Sequence, residues 1–131
     1  MAKSRHRRDE PPPQPSDHAV RGLLGPSGLT PEDLRAAAVM NHDLYGFYGV
    51  SVWIPNAEHS LTTLEQTKLV KFSQYAAFTV ADLTSGELEL WATGQAPHYD
   101  VVHDALDTLV ARLRSTPHQI RINPHVDRED R

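Results

Sequence analysis

Apolar and polar residues change their period several times along this chain, and each change marks an element. In "GLTPEDLRAAAVMNHD", Leu34, Ala37, Ala38 and Met40 recur near the helical period. Thr30 suits an N-cap, Pro31 the first helical position, and Glu32 and Asp33 the positive end of the helix dipole. A helix is expected there, ending near Asn41. Val50, Val52 and Ile54 then alternate with Ser51 and Trp53, the period of a strand, and Pro55 stops it. In "SLTTLEQTKLVKFSQY", Leu61, Leu64, Leu69 and Phe72 fall on one helical arc behind Ser60 as N-cap.

"AAFTVAD" and "ELELWATG" read as two strands with Phe78, Val80, Leu88 and Leu90 facing inward. "LTSG" between them is either a hairpin turn or one helical turn closed by Gly86. "HYDVV" is expected to pair back as a strand. "DALDTLVARLRS" carries Leu106, Leu109, Val110 and Leu113 at helical spacing, with Arg112 and Arg114 in the last turn. "HQIRIN" closes the series as a short strand.

The expected order is helix, strand, helix, three strands, helix, strand. This is an α+β fold: a small, mostly antiparallel sheet with two to three helices on one face. The basic, acidic and then proline-rich opening cannot offset its ordering entropy by burial. Residues 1–18 are therefore expected to be a disordered arm, residues 19–126 a single domain, and residues 127–131 a frayed end. Lys3, Arg5, Arg7 and Arg8 could alternatively form a basic arm for nucleic acid, although Asp9 and Glu10 stand beside them.

Composition narrows the chemistry. A length of 131 residues supports one cooperative core. The formal charge of −4 argues against a broad phosphate-binding surface. With no cysteine, disulfides, thiolate catalysis and Cys-based zinc sites are excluded. No apolar run approaches the roughly 18 to 20 residues a membrane span needs, and the charged N-terminus lacks the apolar region of a secretory signal. A cytoplasmic location without a membrane partner is expected. "TGQAP" and "GPSG" lack the phosphate-loop and dinucleotide patterns, so no cofactor is expected. No G-x-S-x-G elbow is present, and no Ser/His/Asp arrangement is assigned.

The densest polar cluster is "APHYDVVHD", Ala96 to Asp104. On a regular strand, His98 and His103 are five apart and face opposite ways, whereas His98 and Asp100 share a face. A histidine metal site drawing on His98, Asp100 and a distant His125 is a weaker alternative, since no helical His pair is spaced for zinc. No metal is assigned. Acid–base chemistry fits better: His98 as the proton-transfer group, Asp100 orienting it, and a second histidine, His118 or His125, as the other partner for phosphodiester cleavage. The structural alternative is that Pro97 makes a turn, His98 and Asp100 face water, and Asp104 caps the following helix with Asp107 at N3. "NHDLYGFYGVSVW" adds Tyr48 and Trp53, which could stack a base, and Arg121 between Ile120 and Ile122 could contact phosphate.

Three stretches, "YGVSVW", "ELWATGQAPHYDVVHD" and "STPHQIRINPH", resemble small actinobacterial proteins, some of them in two-gene cassettes of toxin–antitoxin type. The resemblance spans Tyr45 to His125 and implies a toxin-like or partner-bound protein. It attaches no role to any residue.

Two functional readings follow. One is a small toxin-like module acting on RNA or a nucleotide, with His98, Asp100 and His125 catalytic and Trp53, Tyr48 and Arg121 binding substrate. The other is a non-enzymatic module that binds a protein partner, an antitoxin-like chain or a second copy, through the sheet face or the edge strand "HQIRIN".

Overall fold

The computed structural model describes residues 7–127. Six strands form one antiparallel sheet in the order β4-β5-β2-β1-β3-β6. In chain order the elements are β1 His18–Gly22, α1 Pro31–Tyr45, β2 Gly49–Trp53, α2 Leu61–Gln66 and β3 Gln74–Thr79. They continue as α3 Val80–Thr84, β4 Glu89–Ala92, β5 His98–Val102, α4 Leu106–Ser115 and β6 Gln119–Ile122. The α+β class and the antiparallel sheet are as the periodicity predicts.

The sheet's pleat sorts its residues between two covers. On one face, Val50, Val52, Phe78, Tyr99 and Val101 meet Leu34 and Ala38 of α1, Leu83 of α3, and Leu109 and Leu113 of α4. On the other face, Val20, Tyr75 and Ala77 meet Leu64 of α2 and Leu69 beyond it. Three helices thus share one face, and the short α2 covers part of the other. The second face of β4, β5 and β2 carries Ser51, His98 and Asp100 among Trp91, Val102 and Trp53, the last half-buried against the same cluster.

Several local expectations are corrected. The strand β1 was not foreseen, because Ala19 and Val20 are both buried and so show no alternation. Helix α1 runs on to Tyr45, where Gly46 takes the left-handed conformation (φ 89°) and its N–H bonds the His42 carbonyl. Within that helix Met40 is 63% exposed, not in the core, and Asn41 is buried in its place. The strand read in "AAFTVAD" stops at Thr79, which caps the single helical turn α3; that turn takes in Val80 to Asp82 and the Leu83 and Thr84 of "LTSG", and its C-cap is Ser85, not Gly86. Helix α4 begins at Leu106, not Asp104: His103 Nδ1 accepts the Ala105 N–H at 2.8 Å, so no aspartate cap is used.

The arm expected to be loose is tied down in its described part. Arg7 bridges Thr93, the Arg8 N–H bonds the Ala92 carbonyl at 2.8 Å, and Val80 and Ala81 bond the carbonyls of Asp17 and Pro15. Backbone pairing to β4 and α3 supplies what the polar composition could not reveal. Lys3 and Arg5 of the basic arm, and residues 128–131 of the frayed end, lie outside the described residues.

One irregularity positions the site. Strand β1 pairs with β3 along its whole length but with β2 only at Val20 and Trp53. The two strands therefore splay toward Gly49. Arg21 fills part of the gap, donating from its guanidinium to the Ser51 carbonyl at 2.9 Å.

Candidate functional site

Register brings the polar residues together. Ser51 stands opposite Asp100, Trp53 opposite His98, and Trp91 opposite Asp100 on the far side. Antiparallel partners share a face, so these side chains form one patch across three strands. Thr93, just past β4, completes it from the turn that leads into β5.

A hydrogen-bonded chain links four of them. Thr93 Oγ1 donates to Asp100 Oδ2 at 2.8 Å. His98 Nδ1 lies 3.1 Å from Thr93 Oγ1 and 3.1 Å from the Thr93 carbonyl oxygen. His98 Nε2 lies 2.9 Å from Ser51 Oγ. These contacts decide the tautomer. A carbonyl can only accept, and the single Thr93 hydroxyl proton is given to Asp100, so Nδ1 carries the hydrogen. In the neutral ring Nε2 then presents its lone pair, and the Ser51 hydroxyl donates to it. This is the orientation that prepares a histidine to take a proton at Nε2.

Burial separates the support from the working end. Asp100 and Thr93 are fully buried, while His98 and Ser51 are half-buried. Gly49 makes the enclosure possible: a Cβ there would lie 2.9 Å from both the Phe47 ring and the Asn41 amide, and 3.3 Å from Asp100 Cβ. Phe47 packs at 4.9 Å on Trp91, and Asn41 holds the loop by donating to the Phe47 carbonyl at 2.8 Å. The Trp53 and His98 rings meet edge to face, with their centres 5.5 Å apart. Burial pulls the Arg21 guanidinium below its usual range, and Asp33 and Asp100 act against this; an arginine stays charged regardless.

The opening segment supplies further cations. Arg7 lies 4.1 Å over the Trp91 ring and Arg8 5.1 Å over Tyr99. Arg8 also donates to the carbonyls of Thr93 and His98, at 2.6 and 2.8 Å, clasping the β4–β5 turn.

The expected site residues divide into three groups. His98, Asp100 and Trp53 come together, with Thr93 inserted between His98 and Asp100. The structural alternative that put His98 and Asp100 in water is corrected by their burial. Tyr48 instead packs against the core on the opposite face, stacking on His42 at 4.4 Å. Arg121 and His125 lie at the other end of the sheet. Four strand spacings separate β5 from β6, roughly 19 Å.

At that end His125 Nε2 lies 3.9 Å from Glu65, which accepts from Tyr75 Oη at 2.6 Å, and Arg121 donates to Gln119 Oε1 at 3.0 Å. Burial raises the Tyr75 pKa, the Glu65 carboxylate raises it further, and Arg121 opposes both. His98, Asp100 and His125 therefore do not form one metal site. Among the described residues no group of three or more His, Asp or Glu side chains is placed to hold a metal ion.

Ser51 and Thr93 are the residues that sequence reasoning missed, and the absence of a Ser/His/Asp arrangement is corrected to a Ser51–His98–Thr93–Asp100 chain. The available signal was a hydroxyl in the middle of an otherwise apolar strand, on the face away from Val50 and Val52.

Fold and site together define a small antiparallel α+β domain with a directed serine–histidine–threonine–aspartate chain on the open part of its sheet. No family model, curated protein or solved structure matches the chain. Among the described residues, no helix is long and apolar enough to cross a membrane.

Proposed function

We propose that this protein is a small toxin-like module that acts on RNA or a nucleotide by acid–base chemistry at His98. The observation that carries the reading is the tautomer: two acceptors at Nδ1 turn the Nε2 lone pair toward an ionisable hydroxyl. Asp100 acts as a positioning residue through Thr93 and steadies the imidazolium once a proton arrives. Trp53 offers a ring for a base beside His98, and Arg7 offers charge for phosphate. His125, Arg121 and Tyr48 take no part.

The test is growth of a bacterial host during induced expression, with total RNA and the nucleotide pool analysed by mass. Wild type should arrest growth and alter one of those pools. His98→Ala, at matched soluble level and unchanged melting, should lower that activity by about 10²–10⁴-fold. Unaltered pools with wild type would overturn the reading.

A second reading has its own observation. Ile120 and Ile122 on the edge strand β6 are 46% and 73% exposed. An edge with exposed branched side chains is a template for strand addition by a protein partner or a second copy. In that case Ile122→Asp should abolish complex formation in size-exclusion chromatography while His98→Ala leaves it intact. The reverse pattern returns the weight to His98.

A further inference from the structure

Beside Ser51 an open cleft of about 160 Å³ runs between α1 and β2. Ala37, Met40, Asn41, Leu44, Tyr45, Gly49 and Ser51 border it, and no charged side chain does. Met40 and Leu44 stay 63% and 41% exposed, so its apolar wall is open to solvent. An anionic phosphate gains nothing from such a wall, whereas a neutral carbonyl with an apolar chain does. On its other side, the serine–histidine pair borders Trp53.

We infer that Ser51 is a nucleophile and that the bond broken is a carboxylic ester: a short acyl group carried on a nucleotide hydroxyl. The acyl chain lies in the cleft against Met40 and Leu44, and the nucleotide ring packs toward Trp53. This rests on the assignment of His98 above and adds the substrate bond and the attacking atom. Ser51 Oγ attacks the carbonyl carbon as its proton passes to His98 Nε2. Asn41 gives one amide N–H to the Phe47 carbonyl, leaving its second for the developing oxyanion. Collapse breaks the ester C–O bond, and the departing nucleotide oxygen takes the proton from His98. Water, deprotonated by His98, then attacks the acyl–Ser51 ester; the carboxylic acid leaves and Ser51 recovers its proton.

The probe is p-nitrophenyl butyrate, which joins a planar aromatic leaving group to a short acyl chain. With the full chain we expect a burst of nitrophenol equal to the protein present. Intact mass should then rise by one butyryl group, and peptide mapping of the wild type should place it on Ser51. Ser51→Ala should lose the adduct, and His98→Ala should slow its formation by about 10²–10⁴-fold. Mapping on the wild type does not depend on the variants folding.

An adduct on any other residue, or none, overturns the inference. So does an unchanged rate of RNA or nucleotide conversion by Ser51→Ala, and in that case the acid–base assignment of His98 stands. A Ser51 adduct with both pools untouched supports the nucleophile and overturns the nucleotide half.

Discussion

Ser51 and Asp100 stand directly opposite each other in the β2–β5 ladder, and their side chains are the two ends of one hydrogen-bonded chain through His98 and Thr93. The carboxylate is buried at one end, and Ser51, half-buried, borders the cleft at the other. In the proposed chemistry, a proton given up at Ser51 passes to His98, which Thr93 ties to Asp100 at the far end of the chain.

Thr93 is the link whose removal is most informative. Thr93→Val keeps the shape but leaves Asp100 Oδ2 and His98 Nδ1 each without the hydroxyl, in a fully buried position. We expect a loss of about 1–3 kcal/mol in urea unfolding. Thr93→Ser should stay near wild type. His98 Nδ1 keeps the Thr93 carbonyl as acceptor, so activity should fall less with Thr93→Val than with His98→Ala.

Gly49 tests the enclosure. A methyl group there meets the Phe47 ring and the Asn41 amide at 2.9 Å, so Gly49→Ala should cost about 1–3 kcal/mol. Displacing Phe47 from Trp91 should also shift tryptophan fluorescence to the red. Gly86→Ala, with open space around it, is the control and should change stability by no more than about 0.5 kcal/mol.

The docked segment should respond to acid. The Arg8 guanidinium, helped by the Tyr99 hydroxyl and opposed by burial, holds the Glu10 carboxyl below its ordinary value of 4.5. A depressed folded value means that the contribution is fully present above 4.5 and is lost as pH falls through the folded value. Acidification through that window should release residues 7–10, read as faster hydrogen exchange at the Arg8 amide relative to β2. Glu10→Gln should weaken the docking and remove its acid dependence.

Tyr75 tests the far cluster. Its hydroxyl donates to the buried Glu65, so Tyr75→Phe should cost about 1.5–3 kcal/mol, the range for a hydrogen bond to a charged group. Burial, then Glu65, raise the Tyr75 pKa above its ordinary value of 10. Its contribution is present below 10 and is lost as pH rises through the raised value. Part of the alkaline loss of stability seen in wild type should therefore be missing in Tyr75→Phe, as read by urea midpoints across that range.

How far the site could be read in advance depended on distance along the chain. His98 and Asp100 are two residues apart on one strand, so their shared face followed from the pleat alone. Trp53 was placed on the correct face of its own strand for the same reason. Its position beside His98, and the meeting of Ser51 with His98, depend on the register of β2 against β5, 47 residues away for the serine. His125 and Arg121 joined the expected site through residue type and proximity in sequence. The strand order sends them to the opposite end of the sheet. Helix ends were misplaced at both helices: α4 starts after Ala105 with no side-chain cap, the Ala105 N–H going to His103 Nδ1, and Gly46, not Asn41, ended α1.

By itself the sequence determined the α+β class, most of the elements, and the face of each recognised strand that enters the core. Those follow from local periodicity and capping, which act over a few residues. Only the tertiary structure decided that β1 exists, that Arg7 and Arg8 clasp the β4–β5 turn, and that Ser51, not His125, is the partner of His98. The reason is physical: a strand's edges carry no record of which neighbour they will meet, and pairing is settled by burial of both faces of the sheet at once.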